Sequence, residues 1–247
     1  MDALLEDVEL LCLDAGNVVV FLDHARVARV VARLGHSVET AALVAAEGEG
    51  KRALEHGTAL RVAWSGAAAP GWSQWGAVAA TMLAKAGVPE AALAEILEVL
   101  KAEHTELNLW SRVPEGLLKA LSELRATGVK VVVVSNSEGT LAELFARLGI
   151  MAAFDAVLDS AVVGVEKPDP RIFAIASERA GVPASRALHL GDTFATDVVG
   201  ARRAGVRVAL IDPFGHYEGQ HPDVPRARGA VEVARALTAR RTRSQRK

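Results

Sequence analysis

The chain has 247 residues, 51% of them apolar, and sets 28 Lys plus Arg against 30 Asp plus Glu for a formal net charge of -2. That length supports one large domain or a core with a smaller companion, and the balanced charge offers no field to nucleic acid or to a membrane surface. One cysteine, Cys12, excludes an intrachain disulfide framework; it lies in an apolar run and is expected in the core of a protein from a reducing compartment.

The opening residues, MDALLEDVELL, are acidic where a signal peptide is basic, and no apolar stretch approaches the roughly 20 residues of a membrane span. A cytoplasmic protein without a membrane partner is the expectation. Residues 8–14 (VELLCLD) are a short apolar run ending in a carboxylate, the pattern of a buried parallel strand that delivers Asp14 at its C-terminal end. From about 24 to 107 the chain turns Ala, Leu and Glu rich with helical spacing, as in HARVARVVARLG and PEAALAEILEVLKAEH, interrupted by a GAAAPGW loop near residue 70. This predicts an all-helical insertion.

Beyond it, LLKALSELRATG reads as an amphipathic helix closed by Gly128, and VKVVVVSNS as the β-branched strand that follows. The alternation continues with TLAELFARLG as helix, FDAVLDS as strand, PRIFAIASERAG as helix, RALHLGD as strand, TDVVGARRAG as helix and VRVALID as strand. Such a pattern predicts an α/β fold with a Rossmann-like parallel sheet flanked by helices. The core is expected over 1–22 and 108–235, the helical cap over 23–107, and a basic, disordered tail over 236–247.

Four polar clusters follow the apolar strands: Asp14 with Gly16 and Asn17; Ser135 with Asn136 and Ser137; Lys167 in VGVEKPDP; and Asp192 with Asp197 in GDTFATD. Ligands of parallel sheets bind at the carboxyl ends of strands, so these clusters are expected to converge. Together they supply a nucleophilic carboxylate, hydroxyl and amide donors, a cation, and carboxylates suited to a hard divalent metal.

In order, residue type and strand context, these clusters resemble the four motifs of the haloacid dehalogenase superfamily, over nearly the whole chain. The block inserted after the first motif is similar to the helical C1 cap of subfamily I. The resemblance implies a phosphatase in which Asp14 forms an aspartyl-phosphate that water then hydrolyses. It implies that Ser135 holds the phosphoryl oxygens with help from backbone donors around Asn136 and Ser137. Lys167 would neutralise the charge that Asp14 and the phosphate bring together. Mg²⁺ would be bound by Asp14, Asp192 and the backbone carbonyl of Gly16, with Asp197 acting through water or fixing the lysine.

Gly16 departs from the common pattern, where a second Asp protonates the leaving group. A glycine keeps the carbonyl but supplies no proton, and loss of a general acid costs about 10² to 10⁴ in rate for a poor leaving group. Asp-x-Gly-Asn-Val resembles a known variant of the first motif that includes sugar phosphatases, so the expected substrate is a small phosphate ester, such as a sugar phosphate. Asn17, Asp23 and His24 lie near the gap, but Asp23 reads as a helix cap and His24 as the first helical residue. The alternatives are a 2-haloacid dehalogenase, against which Asp192 and Asp197 speak, and a catalytically silent binding or regulatory protein of the same fold. In the cap, Arg52, Glu55, His56 and Gly57 form a polar patch that could face a cleft, and Trp64, Trp72 and Trp75 are expected to pack the cap core. Chain crossings near 22 and 110 predict a hinged lid, and the protein is expected to be a monomer or homodimer.

Overall fold

The computed structural model describes residues 2–68 and 72–244. Its elements, in chain order, are β1 (Leu10–Leu13), β2 (Phe21–Leu22), α1 (His24–Arg33), α2 (Thr40–Glu55), α3 (Trp72–Lys85), α4 (Leu93–Glu106), β3 (Trp110–Arg112), α5 (Leu117–Arg125) and β4 (Lys130–Ser135). Then come α6 (Leu141–Arg147), β5 (Ala156–Asp159), α7 (Ser160–Val163), α8 (Arg171–Ala180), β6 (Ala187–Gly191), α9 (Val199–Arg203), β7 (Arg207–Ile211), β8 (Arg226–Ala227) and α10 (Ala230–Ser244). Contacts divide the chain into two units. The first is Met1–Phe21, Arg112–Pro213 and Gly219–Lys247; the second is Leu22–Ser111 with Phe214–Glu218.

In the first unit, every residue of β1 is buried, so this strand needs cover on both faces and belongs in the middle of a sheet. It lies there, in a six-stranded sheet of order β5-β4-β1-β6-β7-β8. All five pairings are parallel. The flanking strands β4 and β6 are equally apolar, with Val131–Val134 and Ala187–Leu190 buried. Because β1 sits between them, the residues that follow β1, β4 and β6 emerge side by side at one sheet edge. The fold is the helix-flanked, Rossmann-like parallel sheet that the alternating pattern predicts.

Three features of this unit differ from the sequence reading. β8 is a sixth strand of two residues, too short to leave a hydrophobic run. The segment after β6 opens with a π-helical turn over Phe194–Val198 before α9 begins. The tail expected to be disordered from residue 236 is instead helical to Ser244. Ala230, Val233, Ala234 and Leu237 of α10 are buried, a stripe at helical spacing that lies against α5, and the basic residues extend a helix already anchored by it. Residues 245–247 of that tail lie outside the described residues.

The second unit holds α1–α4 around its own core, which includes Val27, Val30, Leu43, Leu83, Leu93, Ile96, Leu97 and Leu100. Asp23 caps α1 by accepting the Arg26 amide hydrogen at 2.9 Å, and His24 is the first residue of that helix. The ring of Trp72 lies 5.2 Å from Trp75 and 5.3 Å from His104, with Trp64 6.0 Å from Trp75. These tryptophans pack within the second unit. Of the GAAAPGW loop, residues 69–71 lie outside the described residues.

The short segment Phe214–Glu218 is an unexpected part of this unit. Tyr217 donates its hydroxyl to Glu55 Oε1 at 2.9 Å, the Arg52 guanidinium donates to the His216 carbonyl, and Phe214 meets the His24 ring edge-on. Arg52 and Glu55, part of the polar patch whose orientation the sequence leaves between solvent and a cleft, therefore hold this segment. The chain passes between the units four times, at 21/22, 111/112, 213/214 and 218/219, rather than only near 22 and 110. Among the described residues no helix is long and apolar enough to cross a membrane.

Candidate active site

Asp14 follows β1 directly, and its amide continues the strand pairing by donating to Leu190 O at 2.8 Å. The carboxylate is thereby fixed at the sheet edge and is mostly buried. The Lys167 ammonium donates to Asp14 Oδ1 at 2.6 Å and to Asp197 Oδ1 at 2.6 Å. The lysine side chain is only 2% exposed, so two charge-assisted bonds offset the cost of its desolvation.

Asp197 is the most heavily bonded member of the group. Besides the lysine, its Oδ1 lies 2.8 Å from His189 Nε2, and its Oδ2 accepts the Thr193 amide hydrogen at 3.0 Å. Asp192 sits beside it, with Oδ2 accepting from Asn17 Nδ2 at 3.1 Å and Oδ1 from Thr193 Oγ1 at 3.2 Å. Asn17 is a non-glycine residue at φ 55, and the chain folds back there: its amide donates to Val20 O at 2.7 Å. Oxygen atoms of Asp14, Asp192 and Asp197 all lie within 4.8 Å of one another. Three carboxylates so close repel, and all-oxygen donors of this kind suit a hard divalent cation such as Mg²⁺.

Proton affinities follow from these contacts. Burial pushes the Asp14 carboxyl up to about 6; the lysine charge opposes this, and Asp197 and Asp192 add to it. Burial acts upward on Asp197 as well, but there the lysine charge and the His189 bond prevail and hold it well below the usual carboxylate range. For Lys167, burial favours the neutral amine, yet Asp14 and Asp197 outweigh it and keep the ammonium charged. Burial lowers His189, so its ring is neutral; facing an ionised carboxylate, its Nε2 carries the proton.

A profile of haloacid dehalogenase-like hydrolases matches residues 8–205. The chain belongs to that family. In mouse, haloacid dehalogenase-like hydrolase domain-containing protein 3 is 38% identical to this hydrolase over 127 residues, 51% of this chain and 50% of that protein. A glyceraldehyde 3-phosphate phosphatase of Methanopyrus kandleri is 36% identical over 131 residues, 49% of this chain and 56% of its own length. The hydrolase thus spans about half the length of the curated relatives it matches. Among solved structures, the putative hydrolase YfnB of Bacillus subtilis superposes with a TM-score of 0.63 at 20% identity, covering 93% of this chain and 98% of the other. A dehalogenase superposes at 0.58 with 14% identity, covering 94% and 97%. A phosphatase of Thermococcus onnurineus superposes at 0.57 with 20% identity, covering 93% and 98%, so the fold is common to phosphatases and dehalogenases.

The hydrolase brings Asp14, Lys167, Asp192 and Asp197 into one cluster and places Ser135 at the end of β4, the strand beside β1. Asn136 also has a role that the sequence does not show. Its side-chain amide accepts from the Lys167 N–H at 2.7 Å and donates to the Lys167 carbonyl at 2.8 Å, so it splints the lysine. The Ser137 amide, expected as a phosphate donor, is given to Ser160 Oγ at 3.0 Å. His189 and Thr193 went unrecognised as partners of Asp197. The spacing that could have flagged His189 is its position two residues before Gly191 on β6, a polar residue inside the apolar run ALHLG.

Proposed function

We propose that this hydrolase is a Mg²⁺-dependent phosphatase that removes phosphate from a small phosphorylated metabolite through an aspartyl-phosphate on Asp14. The observation that carries the reading is the Lys167 ammonium held 2.6 Å from both Asp14 and Asp197, beside Asp192. A carboxylate nucleophile must approach a phosphate that is itself anionic, and a buried cation fixed on the nucleophile lowers that barrier. Phosphatases among the relatives, including a phosphoserine phosphatase of Thermus thermophilus that is 36% identical over 114 residues, support the same reaction class.

Asp14 and Asp192, with the Gly16 carbonyl, are the proposed holders of Mg²⁺, and Asp197 would fix Lys167 beside them. When bound, the cation would draw charge from the phosphoryl oxygens and relieve the repulsion among the carboxylates. An oxygen of Asp14 bonds to phosphorus while the ester P–O bond breaks, and the leaving oxygen departs with the electron pair as an alkoxide that takes its proton from solvent. Ser135, the last residue of β4 beside β1, is the proposed hydroxyl donor to a phosphoryl oxygen. Water then attacks phosphorus, phosphate leaves, and Asp14 is restored as carboxylate.

The leaving alcohol needs a proton, and Gly16 has none to give. Esters with acidic leaving groups, such as acyl or anomeric phosphates, are therefore the preferred substrates in this reading. Rates over a graded series of leaving groups test it: turnover should fall steeply as the leaving group becomes more basic, and Gly16→Asp should flatten that slope. A flat series in the unaltered hydrolase would sink the proposal. Halide release from 2-haloacids without metal would replace the phosphatase reading by a dehalogenase one, but an anionic haloacid would meet three carboxylates and a single lysine there, a net repulsion. A catalytically silent protein would show neither activity. The proposed partners are the phosphate ester alone, with no nucleic acid or membrane, in a cytoplasmic monomer or homodimer.

A further inference from the structure

We infer that His189 is a positioning residue: its Nε2–H fixes the Asp197 carboxylate as the anchor of Lys167 and keeps that carboxylate from turning toward the cation. The inference rests on the phosphatase reading of Asp14 and of the aspartate cluster.

His189 is fully buried in β6, where sheet register sets it beside Cys12 on β1 and Val208 on β7. An imidazole in that apolar row costs free energy unless it is bonded, and a leucine would suit the strand better. Its ring is held edge-to-face by Phe173 at 4.9 Å and points Nε2 at Asp197. Gly191, the next residue on the same face, leaves the space that the Asp197 carboxylate fills. β6 thus shapes the pocket for Asp197 with one residue that makes room and one that donates.

The consequence lies in the division of labour among the carboxylates. Asp197 receives three donors, from Lys167, His189 and the Thr193 amide, and its two oxygens are committed to them. Removing the histidine donor leaves Oδ1 with the lysine alone, in a carboxylate that has an oxygen within 4.8 Å of oxygens of Asp14 and Asp192. The carboxylate then gains by turning toward a divalent cation, and Lys167 loses its fixed place on Asp14. Two effects of opposite sense follow: Mg²⁺ binds more tightly while turnover falls. A residue that only filled the core would weaken both together.

The test combines Mg²⁺ titration of the free protein by calorimetry, which needs no turnover, with steady-state kinetics of His189→Leu and His189→Gln, each also made with Asp197→Asn. His189→Leu should lower kcat about 10- to 100-fold, the worth of a hydrogen bond to a charged group, with a smaller change in KM and tighter Mg²⁺ binding. His189→Gln, which keeps an N–H donor, should recover most of both. With Asp197→Asn in place, His189→Leu should add no more than about 2-fold. Weaker Mg²⁺ binding in His189→Leu, or an undiminished effect alongside Asp197→Asn, would overturn the inference. If His189→Leu does not fold, His189→Gln decides: values near those of the unaltered protein support the role, and a loss equal to that of Asp197→Asn refutes it. Mg²⁺ binding without turnover in the unaltered protein would overturn the phosphatase reading, and the titrations would still decide the role of His189.

Discussion

Gly191 faces the Asp197 carboxylate so closely that a methyl group in place of its Cα hydrogen would overlap Cβ and Cγ of the aspartate. The aspartate is buried and held by three donors, so it cannot simply swing aside. Gly191→Ala should therefore lower turnover about 100-fold through displacement of the lysine anchor. Overpacking should cost about 1–3 kcal/mol of stability. Steady-state kinetics and a denaturant titration measure the two effects, and unchanged kinetics would show that the anchor tolerates movement.

Lys167 is the only cation bonded to either Asp14 or Asp197 among the described contacts. Lys167→Met would leave two buried carboxylates without it, and breaking a buried pair from one side costs about 3–5 kcal/mol. The metal-free variant should be destabilised by that order at pH 7 and should regain part of the loss near pH 5, where Asp14 takes up a proton. Turnover should drop by about 10² to 10³ at least, as for a lost electrostatic donor. Urea titrations at the two pH values check the first part.

Asp14 gives the metal-free fold a pH dependence of defined sign. Its folded pKa of about 6 lies above the ordinary carboxyl value of 3.8, so the folded state holds the proton more tightly than the unfolded one. That contribution is full below pH 3.8 and is lost as pH rises through 6. A shift of this size corresponds to roughly 3 kcal/mol. Asp14→Asn should accordingly be more stable than the unaltered protein at pH 7.5 without metal, and the advantage should vanish near pH 4. Mg²⁺ should also erase it, because the cation favours the ionised carboxylate. Thermal melts with and without EDTA supply the comparison.

In the second unit Gly48 lies against the His216 ring, and a Cβ there would overlap it. Gly48→Ala should dislodge Phe214–Glu218 from α2 and expose that segment to protease. Tyr217→Phe, which loses the bond to Glu55, should do so more mildly, by about 1 kcal/mol. Limited proteolysis with mapping of cuts between Pro213 and Gly219 would register both. Equal resistance in all three proteins would mean that the segment stays attached without these contacts.

The legible parts of the fold are those where one stretch of chain carries its own signal. β1, β4, β6 and β7 announce themselves as apolar runs, and Asp14, Ser135 and Asp192 stand directly at the ends of the first three. What escaped depends on distant residues. The side-chain amide of Asn136 grips a backbone 31 positions away, a pairing that no local pattern signals. His189 is one polar residue in a strand that is otherwise apolar, and only the sheet brings it to Asp197. β8 has two residues and no run. The pairing of Tyr217 with Glu55 joins positions 162 apart, beyond any periodicity. In the C-terminal segment the basic composition masks the apolar stripe of α10 that ends at Leu237.

The central claim is that Asp14 attacks phosphorus. It is tested most directly by quenching the hydrolase in acid during turnover of a phosphate-labelled ester with Mg²⁺, then mapping the label by peptide mass spectrometry. The expected result is a hydroxylamine-sensitive phosphoryl group on the peptide that contains Asp14, and neither label nor turnover in Asp14→Asn. Label on another residue, or phosphate release that survives Asp14→Asn, would contradict it.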